Sequence, residues 1–210
     1  MDGKEAKELV RRGYDALSVQ YDEAFGSETK YGDWLGELLT RIPDRSRVLD
    51  VGCGAGVPVA KVLADSGHQV TGVDISEVQV ARARERVPNA TFLQGDVTTL
   101  ELPAGEFDAV LSFYALIHIP VDEQEALLQR IGTWLRPGGM FVATVGATAW
   151  TGAEENWLGG DVPMWWSHAD ADATRAWIEA AGLVVERVEF VPEADSGHTL
   201  IWASLRALHN

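Results

Sequence analysis

A single cysteine in 210 residues excludes an internal disulfide and any metal site built on cysteine pairs, and it suits a reducing compartment. Cations are also scarce: 17 Lys and Arg stand against 32 Asp and Glu, a formal net charge of −15. A protein that neutralises phosphates needs a basic stripe. The one basic cluster, Arg82, Arg84 and Arg86, reads as a solvated helix face. No apolar run approaches membrane-spanning length, and Met1-Asp2-Gly3-Lys4-Glu5 offers no apolar signal segment. No His, Asp or Glu spacing suggests a catalytic divalent metal. These absences lead to the expectation of a cytoplasmic protein without nucleic-acid, membrane or metal partners.

What is present is an alternation of strand and helix patterns. Helical spacing runs from Lys4 to about Phe25 and from Lys30 to Arg41, where Pro43 stops it. Strands are expected at Arg47–Val51, Gln69–Val73, Thr91–Gln94, Asp108–Phe113 and Met140–Val145. Helices are expected near Val57–Asp65, Glu77–Arg86 and Glu123–Trp134, and the interval after Thr91–Gln94 is a loop. Repeated units of this kind predict an α/β fold with a parallel sheet, right-handed crossovers and helices on both faces. Two final β-rich runs, Val184–Val191 and Thr199–Arg206, are joined by a hairpin-type connection, so the last strand is expected to run antiparallel. At this length the chain suits one domain.

The chemistry starts at Val48-Leu49-Asp50-Val51-Gly52-Cys53-Gly54-Ala55-Gly56. A buried strand ends at an acid and meets a turn with every second position bare. The backbone there can approach a ligand, and the start of a helix points at it. Asp74 ends the second strand, where a carboxylate can accept ribose hydroxyls. Gly95-Asp96-Val97 ends the third, and Leu135-Arg136-Pro137-Gly138-Gly139 turns into the fifth.

With these motifs in this order, residues 45–146 resemble the class I S-adenosylmethionine-dependent methyltransferases, more closely the small bacterial enzymes that act on small molecules. A dinucleotide fingerprint would read G-x-G-x-x-G; this turn reads G-x-G-x-G. Asp50 also suits a cationic amino-acid head group better than a pyrophosphate. The resemblance implies a Rossmann-like doubly wound sheet in one domain over residues 1–210. Its parts are an N-terminal helical cover (1–42), a cofactor-binding core (45–146), a lid or substrate loop (147–169), and a last helix with a terminal strand pair (170–210). It implies S-adenosylmethionine as cofactor, with S-adenosylhomocysteine as product. Gly52 and Gly54 would line the methionine part beside Asp50, Asp74 would take the ribose, and Ile75 would pack on the adenine. Asp96 and Val97 would hold the adenine edge, and Phe113 would close the pocket. Tyr14 and Tyr21 either cover the sulfonium or simply pack within the helix.

Ligands of such sheets bind beyond the carboxyl ends of the strands. His118, His168 and His198 fall on that edge; His68 lies on the opposite one, and His209 lies in the tail. His118 and His168, and after them His198, are candidates for a general base or a substrate-orienting group, or are histidines hydrogen-bonded to loop backbone. Trp150, Trp157, Trp165 and Trp166 crowd the segment from Gly146 to His168, which reads either as a substrate wall or as a cap on the core. Tyr114, Trp150, Trp165, Trp166 and His198 are the substrate-binding candidates. Glu154, Glu155, Asp161, Glu193 and Asp195 share the edge and read as a preference for a basic acceptor or as solvated surface. The expected reaction is in-line methyl transfer to an O, N or C atom of a small molecule. The alternatives are a different reaction on the same cofactor or a non-catalytic cofactor-binding subunit.

Overall fold

The computed structural model describes residues 1–25, 30–193 and 196–207. A seven-stranded sheet is formed by β1 (Arg47–Val51), β2 (Gln69–Asp74), β3 (Thr91–Gln94), β4 (Phe107–Ser112), β5 (Leu135–Gly146), β8 (Leu183–Glu193) and β9 (Ser196–Leu205). Their order is β3-β2-β1-β4-β5-β9-β8. β1 to β5 pair in parallel, and β9 pairs antiparallel with both β5 and β8. The last strand therefore runs against the others, as its hairpin-like connection predicts. The sheet matches the expected α/β architecture, mostly parallel and doubly wound.

Alternate residues of each strand enter separate cores, which is why the strands are apolar on both faces. Val48, Ala109, Leu111 and Val142 pack with α2 (Lys30–Arg41), α3 (Val59–Asp65) and α4 (Glu77–Arg86). Leu49, Val110, Phe141 and Ile201 pack on the other face with α5 (Val121–Trp134) and α6 (Ala171–Ala180). Trp202 is wholly buried in the first layer, beneath the Arg41 and Arg187 guanidinium groups. Helix starts are fixed by short side chains. Ser76 Oγ accepts the Gln79 amide at the head of α4, and Asp170 accepts that of Ala173 at the head of α6.

Several boundaries differ from the sequence reading, three of them for a clear local reason. α3 starts at Val59 rather than Val57, because the glycine turn runs through Pro58. α5 starts at Val121, directly after Pro120. Leu135–Gly139, expected as a turn, belongs to β5: Leu135 pairs with Phe107 and Met140 with Ala109, so the extra residues form an irregularity inside one strand. The larger departure lies at residues 147–169. There β6 (Trp150–Glu154) and β7 (Met164–His168) form a separate antiparallel pair. α1 (Gly3–Phe25) lies against it, burying Ala6, Leu9 and Val10 with Met164 and Trp165. Among the described residues, no helix is long and apolar enough to cross a membrane.

Candidate active site

The glycine turn follows β1 and is bonded to the neighbouring strand: the Gly52 and Cys53 amides donate to the Val73 carbonyl at 2.8 and 3.1 Å. Gly52 has φ +73°, and a Cβ there would lie 2.2 Å from that of Ala115, so no side chain fits. Gly54 has φ +52°, and its missing Cβ would meet nothing closer than Gln79 Nε2 at 3.9 Å. One glycine is therefore demanded by packing, and the other leaves open space over the turn.

Asp74 sits beneath this turn. Its Oδ2 accepts the Gly54 amide and its Oδ1 the Ser76 amide, both at 2.9 Å. Burial pushes its pKa up to about 6, against the opposing pull of those amides. Asp50 is 2% exposed, and its Oδ2 has no hydrogen-bond partner among the described residues. Burial, with Asp74 nearby, raises its pKa to about 7. A buried, unsatisfied acid close to a second, half-buried one is costly unless a cationic or hydrogen-donating ligand completes the pair.

Asp96, at the end of β3, is held differently. Its Oδ1 accepts from the Thr98 amide and hydroxyl, and its Oδ2 lies 2.7 Å from Lys7 Nζ. Burial would raise its pKa, but the Lys7 and Thr98 hydrogen bonds outweigh this and the net shift is downward. Lys7 also reaches Glu123 at 2.7 Å, tying α1 to the edge of the cleft and to α5.

His118 joins the cover to the sheet. Its Nδ1 lies 2.7 Å from the Trp165 carbonyl, which can only accept, so Nδ1 carries the proton. Its Nε2 then accepts from the Tyr14 hydroxyl at 2.9 Å. Burial lowers the His118 pKa to about 4 and raises that of Tyr14 well above its ordinary value. Both groups are neutral at physiological pH.

Two joined cavities result. Tyr14, Tyr21, Asp50, Gly52, Gly54, Asp74, Ile75, Asp96, Val97 and Phe113 all line the first, so the ten expected cofactor residues share one cleft. The second is a chamber of about 740 Å³, walled by Phe25, Tyr114, Trp157, Trp166, Glu193 and His198 among others. Tyr14, Tyr21, Phe25, Tyr31, Tyr114 and His118 border both. Of the expected substrate residues, Tyr114, Trp166 and His198 reach the chamber.

His168, Trp150 and Trp165 line neither cavity. The β6–β7 pairing is the reason. Trp165 is buried under α1. Trp150, 47% exposed, meets Trp166 and His168 on the outer part of the pair. The His168 ring occupies the space beside Gly146, where a Cβ would lie 2.0 Å from its Nδ1. Sequence reasoning missed Lys7 and Gln79 in the cleft, and it left Glu193 between a preference for a basic acceptor and solvated surface. Helical spacing marked α1 as amphipathic but gave no sign of which sheet edge Lys7 would reach. Asp195 and His209 lie outside the described residues.

The cleft offers bare backbone at a helix start, a carboxylate at the end of β2 and an unsatisfied buried acid. These fit a cationic amino-acid nucleoside, and residues 48–139 match a family described as "Methyltransferase domain". Residues 48–139 thus carry a methyltransferase domain, and the relatives and fold neighbours support the class I S-adenosylmethionine-dependent type with S-adenosylmethionine as its cofactor.

Among its relatives, the 27-O-demethylrifamycin SV methyltransferase of Amycolatopsis mediterranei is 32% identical over 152 residues, 62% of this chain and 55% of that protein. The chain spans between 26% and 55% of the length of such curated relatives. In fold it is similar to the 1,6-didemethyltoxoflavin-N1-methyltransferase of Burkholderia thailandensis, solved with 1,6-didemethyltoxoflavin and S-adenosylhomocysteine. That likeness has a TM-score of 0.75 at 20% identity, over 98% of this chain and 91% of that one. The [4+2]-cyclase SpnF has the same TM-score at 21% identity over 97% of both chains. At these identities the likeness concerns the fold alone.

Proposed function

We propose that the protein transfers a methyl group from S-adenosylmethionine to an O, N or C atom of a small molecule seated in the aromatic chamber. The observation that carries this reading is the shared wall: six side chains border both cavities, so an acceptor in the chamber faces the cleft directly. The relative's name supports a small-molecule acceptor. The net charge of −15 supports such an acceptor over a nucleic acid.

When bound, the cofactor supplies an electrophilic methyl carbon on a cationic sulfur; the protein's task is to orient the acceptor and exclude water. In this reading Asp50 takes the cationic head group against the Gly52–Gly54 backbone. Asp74 still has carboxylate lone pairs for ribose hydroxyls. Ile75 and Val97 pack on the adenine, Asp96 meets its edge, and Phe113 closes the cleft. Tyr14 and Tyr21 cover the reacting end. His118 acts as an orienting residue, because its protonation is suppressed and its Nε2 is engaged in holding Tyr14. The region 1–210 is read as one domain with residues 1–42 as its cover, and the lone free cysteine, Cys53, supports a cytoplasmic setting.

The test is incubation with methyl-labelled cofactor and a panel of small metabolites. Label in an extracted product is the expected result. An unlabelled product would select rearrangement chemistry on the same cofactor. Binding without turnover of any acceptor would select the non-catalytic reading.

A further inference from the structure

In the same chamber, beside Tyr114 of the shared wall, a second histidine is held in a manner opposite to His118. His198 lies near the start of β9, paired with Gly146 at the end of β5, so it stands at the carboxyl-end edge of the parallel strands. Its Nδ1 lies 2.9 Å from Glu193 Oε2, at the close of β8. The ring lines the chamber and stacks edge-on against Tyr114, with centroids 5.0 Å apart. Nε2 makes no hydrogen bond among the described residues and is not sealed from the cavity. Glu193 is itself fixed: its Oε1 accepts from Lys30 Nζ and from the Tyr114 hydroxyl. Burial would raise the Glu193 pKa, but the hydrogen bonds of His198, Lys30 and Tyr114 outweigh it and push it down to about 2. The carboxylate is thus a permanent anion behind the ring. The other titratable groups that sense this ring are His118 and His168.

We propose that Glu193 and His198 form a carboxylate–histidine dyad whose Nε2 takes the proton of a hydroxyl-bearing aromatic acceptor held between Tyr114, Trp157 and Trp166. The proposal rests on the methyltransferase reading and deepens it to phenol-type O-methylation. The acceptor oxygen forms the new C–O bond with its lone pair as the C–S pair departs with sulfur. The hydroxyl proton moves to Nε2, and the imidazolium formed is stabilised by Glu193 before it releases that proton to solvent. A base is useful only for a protic acceptor, and the aromatic walls suit a planar ring. His118 cannot replace it, because its ring has no carboxylate partner and its Nε2 is occupied.

The first test needs neither cofactor nor acceptor. In the full chain labelled with 15N-histidine, the neutral ring of His198, assigned with His198→Asn, carries its proton on Nδ1, and Glu193→Ala moves it to Nε2. A proton already on Nε2 in the wild type, or no response to Glu193→Ala, overturns the dyad. In the second test, His198→Asn loses about 100-fold or more in label transfer to 1-naphthol. It loses little with 4-nitrophenol, which is largely ionised at pH 8 and needs no base. Equal losses on both overturn the base role. Transfer to neither phenol by wild-type protein that binds S-adenosylhomocysteine overturns the acceptor class. Failure to bind S-adenosylhomocysteine in calorimetry removes the methyltransferase reading, while the tautomer result still decides whether the dyad exists.

Discussion

The Tyr14 hydroxyl donates to Nε2 of His118 across 2.9 Å, and this bond ties the first helix to the loop after β4. The far side of the same ring is tied to the small β6–β7 pair through the Trp165 carbonyl. One neutral imidazole thus links three pieces of the chain that are remote in sequence. Tyr14→Phe keeps the packing and removes the donor, at a cost of about 1 kcal/mol in stability. Urea unfolding would measure this loss. NMR titration should show His118 uncharged down to about pH 4 in the wild type, since burial disfavours its cation. Protonation near pH 6.5 would contradict the buried relay.

Gly52 should be the least replaceable residue of the turn. Gly52→Ala forces a Cβ to within 2.2 Å of the Ala115 Cβ at a backbone angle that disfavours side chains. The expected loss is about 2 kcal/mol or more, read from denaturant midpoints. Combining it with Ala115→Gly relieves the overlap but not the backbone strain, so recovery should be partial. Full recovery would show that φ +73° costs nothing here.

Asp50 makes cofactor binding and pH interdependent. Its folded pKa, about 7, lies above its unfolded value of 3.8, so the folded state holds a proton that the unfolded chain has lost. The unliganded protein therefore loses stability as pH rises from about 4 to 7. A cationic ligand reverses the preference and expels the proton. Calorimetry of S-adenosylmethionine binding at pH 6, in buffers of different ionisation enthalpy, should show proton release that disappears in Asp50→Asn. That variant should gain thermal stability at pH 8 while binding the cofactor more weakly. A buffer-independent enthalpy in the wild type would refute the assignment.

Asp74→Ala should weaken cofactor affinity by about 1–3 kcal/mol, since ribose hydroxyls lose their acceptor. It also orphans the Gly54 and Ser76 amides, so melting of the unliganded protein should fall as well. Measuring both separates the two roles: a stability loss with unchanged affinity would assign Asp74 to the turn alone.

Most of the fold was legible because parallel strands and their helices are written in local patterns. Val48–Gly56 marks a buried strand, an acid and a turn within nine residues, and the antiparallel last strand follows from its short connection. The grouping of Asp50, Asp74 and Asp96 in one cleft was legible for the same reason, since each stands at or near the end of a parallel strand. The acceptor side was not. Trp165 and Trp166 are adjacent in sequence, yet one is buried under α1 and the other walls the chamber. That choice depends on the β6–β7 pairing, which the sequence reading took for a loop. Sequence reasoning ranks His168 ahead of His198 as a base candidate; it is the β8–β9 register that brings a carboxylate to His198.

Because β9 runs against its neighbours, both strands of the terminal hairpin deliver their connecting ends to the chamber, which Glu193 and His198 line. Residues can be inserted or removed there in cross-strand pairs while the ladder below keeps its phase. The glycine turn, which follows β1 three strands away, would not register such a change. Catalytic descendants could thus exchange one acceptor for another by editing a single protrusion, with the methyl-donor site inherited intact.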